Sequence, residues 1–185
     1  MRAAAIKILG LAVGLAVLQV VPAMAGDPGQ VPDWVIAQVK RTCVETNVPS
    51  GRLTSLGDVA SLMKSPEVRV RAVSAYALGE SRSRAAVQPL TAMLQDSDLH
   101  VRRIAASALG KIGDPGAADA LIALLQKSDQ VHLQMAVLES LGRIGGKQSL
   151  IVVTEYLNHD SPAVRHAAIE AKESLAPTQA PVASR

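Results

Sequence analysis

Phenylalanine is absent from this chain, and one tryptophan, two tyrosines and one cysteine are all the aromatic and sulfhydryl chemistry it has in 185 residues. So little aromatic surface argues against a nucleic-acid reader, which carries rings for base stacking and a concentrated basic stripe. A single cysteine, Cys43, excludes an internal disulfide and also a haem attachment, which needs two cysteines and a following histidine. Long apolar runs are scarce too. The only one, Ile8 to Val21, follows Arg2 and Lys7 and leads into Pro22-Ala23-Met24-Ala25, the three-part pattern of a secretory signal peptide with cleavage after Ala25. It contains Gly10 and Gly14 and is shorter than the roughly 20 residues that span a bilayer. The expectation is a periplasmic or secreted mature chain, Gly26 to Arg185, with no transmembrane span. Losing Arg2 and Lys7 leaves 17 Lys and Arg against 16 Asp and Glu, so the basic isoelectric point says little about partners.

What the chain has is repetition. Val70-Arg71 is followed eight residues on by Leu78-Gly79, Val101-Arg102 by Leu109-Gly110, and Leu133-Gln134 by Leu141-Gly142. A fourth copy starts at Val164-Arg165 and stops half way. A fixed period of 31 to 32 residues marks a solenoid, in which each unit buries its apolar face only by stacking on its neighbours.

Within each unit, helix A carries an i, i+3, i+4, i+7, i+8 stripe: Val70, Val73, Ser74, Ala77 and Leu78, then Val101, Ile104, Ala105, Ala108 and Leu109, then Leu133, Ala136, Val137, Ser140 and Leu141. Small residues at the same steps let neighbouring helices approach closely, and Gly79, Gly110 and Gly142 are expected to close each helix in a left-handed C-terminal turn. Helix B buries Val87, Leu90 and Leu94, then Ala118, Leu121 and Leu125, then Leu150, Val153 and Leu157. Ahead of the repeats, residues 26–32 read as a flexible spacer. Residues 33–64 read as a degenerate N-terminal helical unit with Asp33 as N-cap and with Trp34, Val35, Val39 and Cys43 on its apolar side. The repeats proper fill 65–175, three full and one half, and 176–185 is expected to be a disordered tail. The whole is an all-α solenoid of stacked antiparallel helix pairs.

The segments DSDLHVRRIAASALGKIGDPGAADALIALLQ and SPEVRVRAVSAYALGESRSRAAVQPLTAMLQ resemble HEAT repeats of the short, phycobilisome-lyase-like type. That resemblance implies a right-handed superhelix with the B helices on the inner concave surface, and it brings in two enzymes built on the same repeat. Deoxyhypusine hydroxylases hold two irons through His-Glu pairs at helix starts, whereas here His100, His132, His159 and His166 are followed by Val, Leu, Asp and Ala. Bilin lyases work in a cytoplasmic light-harvesting setting, at odds with an export signal. No cofactor or metal is expected.

Other chemistry is as thin. His100 and His132 stand at equivalent helix starts, and exposed side chains are the simpler reading of both. Gly145-Gly146-Lys147 lacks the spacing and the following Ser or Thr of a phosphate loop, and no serine sits in a nucleophile elbow. Surfaces are the better candidates. On the B helices, Gln88, Ala92, Gln95, Asp119, Ala123, Gln126, Ile151, Glu155 and Asn158 would line up as a polar, weakly acidic concave groove. The A-to-B turns hold Arg82, Arg84, Lys111, Arg143 and Lys147, a basic edge able to steer an acidic partner. The expected function is a non-catalytic protein-interaction scaffold, its partner another protein or an envelope complex and not a nucleic acid.

Overall fold

The computed structural model describes residues 31–47, 53 and 55–176; the leader, most of the spacer and nearly all of the tail lie outside them. Among the described residues there are nine α-helices and no strand. In chain order these are α1 (Asp33–Glu45), α2 (Leu56–Ser61), α3 (Val68–Glu80), α4 (Val87–Met93), α5 (Leu99–Ile112), α6 (Ala118–Lys127), α7 (Val131–Ile144), α8 (Lys147–Glu155) and α9 (Pro162–Leu175). Short 3-10 turns lead into α4 and α6 and extend α2 and α8. The A helices are α1, α3, α5, α7 and α9, and α2, α4, α6 and α8 are their B partners. Even Ile151 to Thr154, the most β-branched stretch, is helical within α8.

The predicted stripes form the core. Val70, Leu78, Val101, Leu109, Leu133 and Leu141 are buried, and so are Leu90, Leu94, Leu121, Leu125 and Val153 from the B helices. Each fully buried leucine contributes about 2 kcal/mol relative to exposure. Leu150 departs from the pattern at 38 % exposed: it is equivalent to Val87 and Ala118, but among the described residues no further B helix follows α8 to cover it. Asp33 is not an N-cap; Pro32 holds that place and Asp33 is the first helical residue, where a carboxylate still favours the helix dipole.

Three glycines do something other than expected. Gly79, Gly110 and Gly142 lie inside α3, α5 and α7, and the positive-φ glycines are Gly113, Gly145 and Gly146. A Cβ on Gly79 would stand 2.6 Å from Ala108 Cβ, one on Gly110 2.6 Å from Ser140 Oγ, and one on Gly142 2.9 Å from Ala171 Cα. These glycines therefore let α3, α5 and α7 each touch the backbone of the next A helix. Ser140 Oγ even donates across that contact to the Ala106 carbonyl, at 2.9 Å.

The repeated arginine has a structural task that the sequence alone did not reveal. Arg71 donates to the Ser65 and Pro66 carbonyls, Arg102 to those of Asp96 and Ser97, and Arg165 to those of His159 and Asp160. Each arginine thus ties its helix to the turn that precedes it. The residue at the head of each turn also accepts a bond from the backbone N–H two residues on: Ser65, Asp96, Ser128 and His159 all do so, through Oγ, Oδ1, Oγ and Nδ1. In the third unit Gln134 replaces arginine, making one bond to the Ser128 carbonyl and leaving its buried Oε1 without a partner.

Candidate interaction surfaces

The nine positions are all exposed; eight lie on α4, α6 and α8 with its 3-10 extension, and Gln95 sits in the turn just after α4. Ile151, 48 % exposed, is the large apolar side chain among them. Interaxial distance follows the side chains at the contact, and the glycine contacts draw the A helices together, whereas α4, α6 and α8 contain no glycine. The A helices are therefore the more closely packed row of the stack.

On that A face lies a groove of about 750 Å³ crossing α5, α7 and α9. Its floor is Leu133, Met135, Ala136 and Ala167; its walls are Asp98, His100, Arg103 and His132 toward the between-unit turns, and Ser107, Glu139 and Glu170 toward the other end. None of the nine B-helix positions lines it. His100 Nδ1 lies 3.1 Å from the Arg103 guanidinium, and His166 Nε2 lies 3.2 Å from Glu170. His100 and His132 share the groove, but among the described residues no three of His, Cys, Asp and Glu gather as a metal site would require. The signal for this groove was in the sequence, in the A-helix residues between the buried ones, where charge and histidine recur at the same register.

The basic edge is only partly brought together. Arg82, Lys111 and Arg143 line a second recess of about 520 Å³ with Glu80, Gly110 and Gly113; Arg84 and Lys147 do not. Much of its charge is answered locally. Lys111 pairs with Glu80 and lies 4.7 Å over the Tyr76 ring, Arg84 is 3.2 Å from Asp114, and Arg143 pairs with Glu139. Burial, with Glu80 nearby, pushes the Tyr76 phenol above its ordinary value. Trp34 meets Tyr76 edge-on at 6.4 Å, so it packs on the first repeat while staying 45 % exposed.

Cys43 is fully buried, which raises its thiol pKa by desolvation and makes it a core residue. The most strongly held charges are structural as well. Arg71 grips Asp96 through both carboxylate oxygens at 2.7 and 2.9 Å, with side chains only 12 % and 8 % exposed. That bond holds the Asp96 carboxyl below its ordinary range and the Arg71 guanidinium above its own.

Comparison with known proteins agrees with this architecture. A family model of HEAT repeats matches residues 58–134, and the stacked helix pairs have a HEAT-like solenoid fold. The complex of CpcE and CpcF of phycocyanin lyase from Nostoc sp. PCC7120 is similar at 26 % identity and a TM-score of 0.62, over 89 % of this chain and 71 % of that one. Human deoxyhypusine hydroxylase in complex with glycerol is similar in fold at 15 % identity and a TM-score of 0.60, over 77 % of this chain and 55 % of that one. An engineered protein matches at 20 % identity and a TM-score of 0.51, over 65 % and 62 % of the two chains. Curated proteins yield no match.

Proposed function

We propose that this chain is a non-catalytic protein-interaction module, exported to the periplasm or cell envelope, that receives its partner along the A-helix face. The groove across α5, α7 and α9 carries the proposal. It joins side chains from three successive units, has an apolar floor, and is walled by charges of both signs, the composition of a peptide-receiving groove in a solenoid. The similar CpcE–CpcF assembly is a complex of two proteins, which supports reading this solenoid as one that assembles. Export rests on the leader pattern of residues 1–25.

A photoreactive amino acid placed at His132 or Met135 in the groove, and in parallel at Ala92 or Ala123 on the opposite side, tests the surface in the native cell. A discrete adduct from the groove positions alone is expected; adducts from the opposite side alone, or from neither, sink the proposal. Mass spectrometry of the same purified protein reads the export arm. An N-terminus at Gly26 is expected, and an intact Met1 in the cytosolic fraction would refute it.

A further inference from the structure

The two ends of the stack hold what the middle does not. Among the described residues, the large apolar side chains left exposed are Trp34, Val44 and Val68 at the first end and Leu150, Ile151 and Ile169 at the last, while α4 to α7 expose none. The last end also has an unfilled ionic place. In the first unit Arg71 uses Nη1 for the Ser65 and Pro66 carbonyls and turns Nε and Nη2 to the Asp96 carboxylate of the next turn. Arg165 makes the same two Nη1 bonds, to the His159 and Asp160 carbonyls, and nothing among the described residues meets its Nε or Nη2. Arg102 lacks a carboxylate as well, but there the next turn is present and puts Ser128 in the Asp96 place. Beyond Arg165 that place is open. We propose that the α9 end of the stack is the face of a two-fold dimer, in which α9 packs antiparallel on α9 of a second copy of this chain.

Such a face needs a partner that brings a carboxylate and an apolar surface, and α9 itself supplies both. Arg165, Ile169 and Glu173 stand at i, i+4 and i+8, a single ridge of the helix, on the side where the equivalent Ala106 and Gly110 of α5 meet α7. Ridges of this spacing pack on one another with the helices crossing at about 50°. When the ridge meets its own copy about a two-fold axis at Ile169, it runs in the opposite direction. Glu173 of each copy then reaches Arg165 of the other, and the two isoleucines lie between the ion pairs. A carboxylate on the Nε–Nη2 edge repeats the fork that Asp96 makes with Arg71. The contact is self-complementary, so it closes at two copies. Leu150, uncovered at the same end, adds apolar area. This face is separate from the groove, to which α9 gives Ala167 and Glu170 and none of the ridge, so a failed groove cross-link leaves the dimer standing.

Sedimentation equilibrium of the purified full chain over a concentration series tests the proposal. A monomer–dimer equilibrium is expected; a monomer at every concentration up to about 1 mM, or a ladder of larger oligomers, overturns it. Ile169→Glu and Glu173→Arg, both at exposed positions, should each weaken the dimer about tenfold with little change in melting temperature. Arg165→Gln, which can keep a turn bond as Gln134 does, should weaken it severalfold. Unchanged association in any of the three overturns the proposal. The sharpest arm mixes Glu173→Arg with Arg165→Glu. Each variant is repelled by its own copy, whereas together they present opposite charges at both contacts, so a mixed dimer should form with near wild-type affinity. A mixture that stays monomeric, with both variants keeping the wild-type far-ultraviolet dichroism, also overturns it.

Discussion

Two turns do the same job in this molecule with different materials. Between the first and second units, Asp96 gathers three partners: its carboxylate takes Arg71 through both oxygens, its Oδ1 also takes the Asp98 N–H, and its carbonyl takes Arg102. Between the second and third units, Ser128 holds the equivalent place. Its hydroxyl accepts from the Gln130 N–H and its carbonyl from the Gln134 amide, and no ion pair among the described residues crosses there. The first seam is charged, nearly dry and closed on itself; the second is neutral and leaves a buried acceptor unpaired. The difference teaches that stacking alone holds the units together, since α7 docks on α5 through Gly110 and Ser140 without a charged tie. The arginine adds a lock to a joint that already fits.

The largest expected effect comes from opening the charged seam. Asp96→Ala leaves Arg71 nearly buried without its carboxylate and should cost roughly 3 kcal/mol, read from urea unfolding at neutral pH; a loss below about 1 kcal/mol would show that the seam works without its ion pair. The sign of the pH dependence follows. The folded-state pKa of Asp96 is depressed from 3.8, so its stabilisation is present above that value and disappears as acid carries the pH down through the depressed one. Wild type should lose more stability than Asp96→Asn across that acid window.

Closing the neutral seam should have a smaller, opposite effect. Gln134→Arg restores the two carbonyl bonds made at the other three turns and removes the orphaned Oε1, for a gain of about 1 kcal/mol. If stability falls, the space around Ser128 is not equivalent to that around Asp96, and the comparison breaks. Smallest is Ser149→Ala. Ser149 Oγ is buried without a partner, and the equivalent residues are the buried Ala86 and Ala117. A gain of a few tenths up to about 1 kcal/mol is expected, measured as a shift in the thermal midpoint.

Much of this architecture was legible in the sequence because it depends on period and residue size. The 31- to 32-residue spacing and the apolar stripes place the helices and most of the core. What stayed hidden depends on where a helix stops and which row is tighter. Gly110 looks like a helix terminator until Lys111 and Ile112 are seen to continue the helix to Gly113; the second glycine three residues on was the available signal. That misreading also concealed the tight A row, and with it the groove that Met135, Glu139 and Glu170 line. The nine B-helix positions follow correctly from helical periodicity as exposed residues. The arginine clamps were visible only as a recurring Val-Arg, and their partners are backbone carbonyls, to which a sequence gives no letter.

One residue decides where this row of helices can go next. The register of Gly79, Gly110 and Gly142 falls in α9 on Glu173, and Ile169, at the register of the buried Ala75, Ala106 and Leu138, stands 46 % exposed. A further A helix brought up at the same spacing would collide with a carboxylate where each earlier one met bare backbone. Two of these molecules therefore cannot concatenate into a longer rod by copying their internal joint, and a fusion that tried to graft extra units after α9 would first have to change Glu173 to glycine.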